Sequence, residues 1–74
     1  EFLAEPGGEL VSAAHGPATV EHLTVLEGTL TVTANGDVKS GGPGETLRYA
    51  TAQGTHTVRN DGEAPARAMM VCIL

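Results

Sequence analysis

Two histidines and one glutamate are the residues of this chain with the clearest potential for chemistry. His15 lies six positions before Glu21, and His56 lies far downstream. Two imidazoles and a carboxylate are the ligand set of the facial triad in non-haem iron sites, which leaves positions open for water or substrate, and they also hold zinc or manganese. Only a closed or two-layered β fold would bring the three side chains together. Whether they form one site therefore depends on the strands that carry them.

The segment 19–28, TVEHLTVLEG, has the composition of a buried strand with two polar residues near its start. Glu21 and His22 are adjacent, so in a strand they point to opposite faces. If Glu21 shares the inward face with Leu23 and Val25, it is a carboxylate in an apolar interior, which must be paired or must bind a metal. His22 is then expected at the surface or in an interface.

Simpler interpretations of these residues remain open at this stage. Glu21 could sit at a strand end, solvated or paired with Arg48 or Arg59, because most carboxylates lie on surfaces. His15 lies in AAHGP, where a loop histidine needs no function. His56 could merely begin a strand, with its imidazole hydrogen-bonded to a backbone carbonyl.

The rest of the chain predicts an all-β fold. Ten glycines and four prolines are spread too evenly to leave a long helical window. Asn35-Gly36 is a strong two-residue hairpin signal between two short β-rich runs. In the run before it, Leu30, Val32 and Ala34 alternate with threonines, which predicts one buried face. We predict strands over 9–14, 20–26, 29–34, 37–40, 46–50, 56–60 and 66–74.

The last of these segments, ARAMMVCIL, is apolar on both faces. An antiparallel strand with one wet face should alternate, so we expect this strand to be central in a two-layered structure or to pair with something beyond this chain. A homodimer interface would explain it. Met69, Met70 and Cys72 are interpreted as packing residues, and a lone cysteine with no histidine beside it in sequence is seldom a nucleophile.

The composition limits the classes of function that this chain can have. The 74 residues suffice for one small domain, 1–74, either whole or a fragment or C-terminal domain of a longer protein. A core of this size is marginal, so a metal or a partner subunit is expected to assist it. The single cysteine indicates a reducing, cytoplasmic setting, and no signal peptide or membrane span is predicted. The net charge of -5 argues against direct nucleic-acid binding.

The segment from His15 to Asn60 resembles the cupin superfamily, small β-barrels in which two sequence motifs supply metal ligands. The first motif runs His-x-His, three or four residues, Glu, six residues, Gly. Here His15 matches the first histidine, Glu21 the glutamate and Gly28 the glycine, whereas Pro17 stands in place of the second histidine. The second motif begins at a glycine of the GPGE stretch and ends in HTVRN, which supplies a histidine and an asparagine at the expected spacing.

The resemblance implies a small cupin-like β-barrel of the double-stranded β-helix or jelly-roll type, dimeric, with His15, Glu21 and His56 as ligands of a divalent Fe, Mn, Zn or Ni ion. With one ligand position lost, the site could instead hold an organic molecule or nothing. The pocket would then be lined by Leu23, Val25 and Tyr49, although a role for the tyrosine in the barrel wall is equally open.

Three functions follow from the resemblance. The phrase EHLTVLEGTLTV is most similar to cupin sensor domains behind helix-turn-helix domains in bacterial transcription regulators, which would bind a metal or a small-molecule effector. The alternatives are a metal-dependent enzyme, such as a dioxygenase, isomerase or decarboxylase, and an empty scaffold that serves dimerisation. No candidate general base can be named besides the ligands. Arg48 could anchor an anionic ligand, but it should point outward because it alternates with Leu47 and Tyr49. We therefore favour sensing, with no membrane or direct nucleic-acid partner.

Overall fold

A computed structural model describes residues 2–12, 20–51 and 55–73, without the side chains of 11 and 12. These residues contain no helix, and therefore no helical segment long and apolar enough to cross a membrane. The described elements are the strands β1 Phe2–Ala4, β2 Glu9–Ser12, β3 Val20–Glu27, β4 Leu30–Ala34, β5 Asp37–Gly41, β6 Thr46–Ala50, β7 His56–Arg59 and β8 Ala66–Ile73.

The strands form two antiparallel four-stranded sheets. The first sheet has the order β1-β8-β3-β6, and the second has the order β2-β7-β4-β5. Strands next to one another in a sheet are mostly distant in sequence, because the chain passes between the sheets at nearly every connection. This topology places β3 and β7, which carry the two candidate site residues Glu21 and His56, in opposite sheets.

Alternation along each strand produces the core between the sheets. The predicted face of β4 is confirmed: Leu30, Val32 and Ala34 are buried. Thr31 is buried as well, although it belongs to the other face, and its hydroxyl lies 2.9 Å from the Ser40 hydroxyl on β5. A polar side chain is tolerated there because its hydrogen bond is made within the sheet.

The all-β prediction is confirmed, and the strand boundaries differ in few places. The hairpin at Asn35-Gly36 is present, with positive φ angles of 54° and 79° that suit a two-residue turn. Sequence reasoning missed β1, which is too short to show a period of two. This strand forms by antiparallel pairing with β8, in which Phe2 lies opposite Ala68 and Ala4 lies opposite Ala66.

The two faces of β8 have different surroundings. Ala66 and Ala68 are buried between the sheets, where β8 pairs with β1 on one side and β3 on the other. Met69, Val71 and Ile73 point to the outer face of the first sheet and are substantially exposed. The strand is therefore central in its sheet, and no described residue covers its outer apolar row.

Candidate functional site

Glu21 lies on the inward face of β3 with Leu23 and Val25, as predicted, and only 2% of it is exposed. The register of the first sheet places Tyr49 of β6 on one side of Glu21 and Cys72 of β8 on the other. Residues paired across antiparallel strands share a face. Three polar side chains therefore form one row across the inner face of this sheet.

The carboxylate of Glu21 receives hydrogen bonds at both oxygens. The Tyr49 hydroxyl donates to Oε1 at 2.8 Å, and the Cys72 thiol donates to Oε2 at 3.3 Å. From the second sheet, His56 brings Nε2 to 3.5 Å from the same Oε1, and its ring centroid lies 5.7 Å from that of Tyr49. We call Glu21, Tyr49, His56 and Cys72 the Glu21 cluster.

The cluster holds its two donors in their protonated forms. Burial raises the pKa of the Tyr49 hydroxyl far above its usual range, and the hydrogen bond to Glu21 and the charge of that carboxylate raise it further. The pKa of the Cys72 thiol is raised mainly by its hydrogen bond to Glu21, with smaller effects of burial and of the same charge. Because a thiolate is the reactive form, Cys72 is a hydrogen-bond donor rather than an activated nucleophile.

Removing the charge of Glu21 should make Cys72 more reactive. In Glu21→Gln the carboxylate that raises the pKa of the thiol is lost, so the thiolate fraction at a given pH increases. Alkylation of Cys72 by iodoacetamide at pH 8 should accelerate several-fold, because the thiolate is the reacting form and its fraction rises as the pKa of the thiol falls. The rate should be measured from pH 7 to 10 by mass spectrometry.

A matched control for this measurement is Glu27→Gln. Glu27 lies on the same strand, but its carboxylate is exposed and accepts a hydrogen bond from Arg67 at 2.8 Å. The Glu27 variant should leave the pH profile of alkylation unchanged. If the Glu21 variant also leaves the midpoint unchanged, the hydrogen bond between Glu21 and Cys72 does not control the thiol.

The remaining predictions about these residues have varied outcomes. The alternative in which Glu21 pairs with Arg48 or Arg59 is wrong: Arg59 binds the Thr33 hydroxyl and Asp61, and Arg48 is exposed. His22 lies on the face opposite Glu21 and is partly buried. The predicted ligand His15 lies outside the described residues.

The described residues do not by themselves fit a metal centre. A separation of 3.5 Å between His56 Nε2 and Glu21 Oε1 is compatible with two neighbouring ligands of one ion, at bond lengths of about 2.1 Å. However, the described part of the chain contains no group of three or more histidine, cysteine or acidic residues that could hold a metal. The cluster is a hydrogen-bonded carboxylate, and a metal site would need ligands beyond it.

A cavity of about 250 Å³ opens beside the cluster, between the edge strands β5 and β6. Two hydrogen bonds bridge the edges near it, from Lys39 Nζ to the Arg48 carbonyl at 2.7 Å and from Asn35 Nδ2 to the Ala50 carbonyl at 3.0 Å. Tyr49 belongs both to the cavity lining and to the Glu21 cluster. Its lining consists of Val20, Val32, Ala34, Asn35, Asp37, Lys39, Arg48, Tyr49 and Ala50.

The cavity lining contains one of the three predicted pocket residues, and it includes two cationic residues, Lys39 and Arg48, that sequence reasoning did not place there. Tyr49 lines it, whereas Leu23 and Val25 are fully buried in the core and are not among its lining residues. Arg48 points away from the core, as its alternation predicts, yet it borders the cavity together with Lys39 because β5 and β6 are edge strands. Edge position depends on sheet order, for which the sequence carries no local signal.

Known structures share this architecture. The cupin domain of an XRE family transcriptional regulator from Enterobacter cloacae superimposes with a TM-score of 0.87 at 24% identity, over 97% of this chain and 75% of that chain. A de novo designed double-stranded β-helix gives a TM-score of 0.80 at 17% identity, over 97% of this chain and 94% of that one. A sugar phosphate isomerase of the cupin superfamily from Silicibacter pomeroyi gives 0.73 at 26% identity, over 97% of this chain but only 46% of that one.

Sequence comparison leads to the same family. No functionally curated protein matches the chain at a significant level. The cupin domain family model matches residues 1–72, which is nearly the whole sequence. The strand order, the designed double-stranded β-helix that superimposes on it and this match agree, and the chain therefore belongs to the cupin domain family.

Proposed function

We propose that this chain is the small-molecule-binding sensor domain of a bacterial transcription regulator, and that its effector is a small organic anion. The observation that carries the proposal is the cavity between β5 and β6, which combines four small apolar residues with two cationic side chains. Binding sites for small molecules are concave and use a few polar groups to fix the orientation of the ligand.

The size of the cavity limits the effector. Pockets for drug-sized ligands have volumes of about 300–1,000 Å³. The cavity of about 250 Å³ lies below that range. It corresponds to roughly eight water molecules at about 30 Å³ each. A metabolite of a few carbon atoms fits this volume.

The charges at the cavity favour a single negative group. Arg48 has no hydrogen-bond or ion-pair partner for its guanidinium among the described residues, and its planar fork suits a carboxylate. Lys39 donates to the Arg48 carbonyl and keeps further N–H donors. Asp37 also lines the cavity and reduces the net positive charge, which disfavours a polyanion. A monocarboxylate with an apolar body meets these conditions.

The geometry supports sensing better than catalysis. Among the cavity residues, Tyr49 is the buried one that could act as a general acid or base, and its raised pKa keeps the phenol protonated, so it does not act as a base at neutral pH. Glu21 lies behind it with both oxygens engaged by donors. The similarity to the cupin domain of a transcription regulator supports the sensor role. The similarity to a sugar phosphate isomerase supports the enzyme alternative, in which His15 and a metal would complete the Glu21 cluster.

Ligand binding should be tested by thermal unfolding with monocarboxylates of about three to six carbons, since that size matches the cavity. A ligand at a hundred times its Kd stabilises a domain by about 2.7 kcal/mol, which raises Tm by about 10–20 °C for a chain of this size. In Arg48→Ala the charged hydrogen bonds to the carboxylate are lost, so affinity should fall roughly 10- to 100-fold.

Two controls make the result specific. Arg67→Ala removes an arginine that pairs with Glu27 on the same sheet and does not line the cavity, so binding should be unchanged. The amides of the same acids, which lack the charge, should not stabilise the chain. The proposal fails if no carboxylate raises Tm, or if Arg48→Ala and the parent chain respond alike.

The regulatory role requires a separate experiment on the parent protein. We expect its reading frame to encode a basic helical DNA-binding domain, because a chain of net charge -5 is poorly suited to bind phosphates itself. The effector found above should change the affinity of the whole protein for its operator. A reading frame without a DNA-binding domain would favour the enzyme alternative.

A further inference from the structure

One charged residue of the cavity has no role in binding a simple carboxylate. Asp37 lines the cavity together with Lys39 and Arg48, so the site carries charges of both signs. We propose that the effector is a small aliphatic amino acid, whose ammonium group binds Asp37 while its carboxylate binds Arg48. This inference rests on the proposed function, because it names the ligand class of the same cavity.

The strand register directs Asp37 toward the cavity. Asp37 lies opposite Ala34 in the pairing of β5 with β4, and Lys39 lies opposite Val32. Paired residues share a face, and Val32 and Ala34 are buried on the inward side of β4. The two charged side chains therefore point inward from an edge strand, with their Cα atoms about 7 Å apart. All four residues line the cavity.

The carboxylate of Asp37 has no hydrogen-bond or ion-pair partner among the described residues, in contrast to the polar residues two positions before and after it. Asn35 Nδ2 donates to the Ala50 carbonyl, and Lys39 Nζ donates to the Arg48 carbonyl. Both of these side chains reach β6 across the opening of the cavity. Asp37 lies between them and presents an unengaged negative charge to a ligand.

This charge discriminates between a simple carboxylate and an amino acid. A carboxylate held by Arg48 is repelled by Asp37 in the same cavity. An ammonium group on the carbon next to that carboxylate replaces the repulsion by a charge-assisted hydrogen bond, which is roughly twice as strong as one between neutral groups. Two opposite charges also fix the orientation of the ligand. Asp37 is therefore expected to determine specificity.

The rest of the lining favours a short aliphatic side chain on the ligand. Val20, Val32, Ala34 and Ala50 supply small apolar surfaces. The cavity of about 250 Å³ leaves room for the amino and carboxyl groups and a few further carbon atoms. A second charge on the ligand side chain would lie against these apolar groups, which is unfavourable. We therefore expect a ligand between alanine and leucine in size.

Isothermal titration calorimetry of the chain with pairs of ligands tests the proposal. The pairs are alanine with propionate, valine with isovalerate and leucine with isocaproate, and in each pair only the amino group differs. Exposed charges are screened least at low ionic strength, so the titrations should be made there. At least one of the amino acids should bind about tenfold more tightly than its deaminated counterpart.

Asp37→Asn is the decisive variant, because it keeps the volume of the side chain and removes its charge. Affinity for the amino acid should fall roughly tenfold, whereas affinity for the deaminated acid should rise because its repulsion is removed. Asp61→Asn is the matched control. Asp61 pairs with Arg59 and does not line the cavity, so this variant should bind both ligands as the parent chain does. Circular dichroism should show that both variants are folded.

The outcomes separate this inference from the proposed function. The inference is overturned, and the proposed function stands, if amino acids and their deaminated counterparts bind equally well. It is also overturned if Asp37→Asn leaves both affinities unchanged or lowers them by the same factor. Asp37 would then serve only as an inward charge that keeps an edge strand from pairing with another chain. If no ligand of either class binds, the proposed function fails, and this inference fails with it.

Discussion

Gly28→Ala is expected to destabilise the chain by about 3 kcal/mol or more, from two additive causes. Gly28 has a φ of 74°, in the left-handed region, where a residue with a Cβ is strained by about 1–2 kcal/mol. A Cβ at this position would also lie 2.8 Å from the Pro65 carbonyl oxygen and 2.9 Å from Ala66 Cα. These are backbone atoms of the segment entering β8, so the clash can be relieved only by moving a strand of the first sheet.

The measurement is urea unfolding, with Gly36→Ala as the matched control. Gly36 has a nearly equal φ of 79°, but a Cβ there would meet nothing within 4 Å. The control should therefore lose only the cost of the left-handed conformation, about 1–2 kcal/mol. The difference between the two variants isolates the close approach between Gly28 and β8. Equal losses in both would show that this contact does not exist.

Asn60→Ala is expected to cost a similar amount, about 3 kcal/mol, by removing hydrogen bonds from a buried junction. Asn60 is fully buried, and its side-chain amide donates to the carbonyls of Ala4 at 3.0 Å and Ala64 at 2.9 Å. Its carbonyl oxygen accepts from the Gly62 amide at 2.9 Å. The side chain thus joins the end of β1 to the turn after β7.

Thermal unfolding should show this loss as a fall in Tm of more than 10 °C, since about 1 kcal/mol corresponds to roughly 4–8 °C in a domain of this size. Asp61→Ala, which changes the exposed neighbouring residue, should cost under about 1 kcal/mol because its ion pair with Arg59 is at the surface. Asn60→Asp keeps the volume but cannot donate to the two carbonyls, so it should be at least as destabilising as the alanine. A Tm for Asn60→Ala within about 2 °C of the parent chain would contradict the role of this junction.

These two residues clarify what the motif residues of this chain do. Gly28 and Asn60 end the two segments that resemble cupin motifs, and the contacts of both are with the backbone. Glu21 and His56, within the same segments, point inward and approach each other across the two sheets. Each motif therefore combines a residue that stabilises the backbone of the barrel with a residue whose side chain lies in its interior. Loss of Gly28 or Asn60 should reduce stability first, and ligand binding only as a consequence.

The sequence by itself determined the all-β class, most strand positions and the faces of the strands. Alternation in 19–28 places Glu21 inward with Leu23, because successive residues of a strand must point to opposite sides. The Asn35-Gly36 hairpin follows equally directly, from the tolerance of these residues for positive φ. Such features depend on neighbours within a few positions, and local sequence is therefore enough to predict them.

Only the tertiary structure decided what surrounds Glu21 and which residues reach the cavity. Tyr49 and Cys72 become its hydrogen-bond donors through the register of β6 and β8 against β3, with partners 28 and 51 residues away. Arg48 reaches the cavity because β6 lies at an edge of its sheet, although its alternation alone predicts exposure. Register and sheet order follow from the packing of the whole barrel, where many weak contacts between distant segments act together, so no short stretch of sequence encodes them.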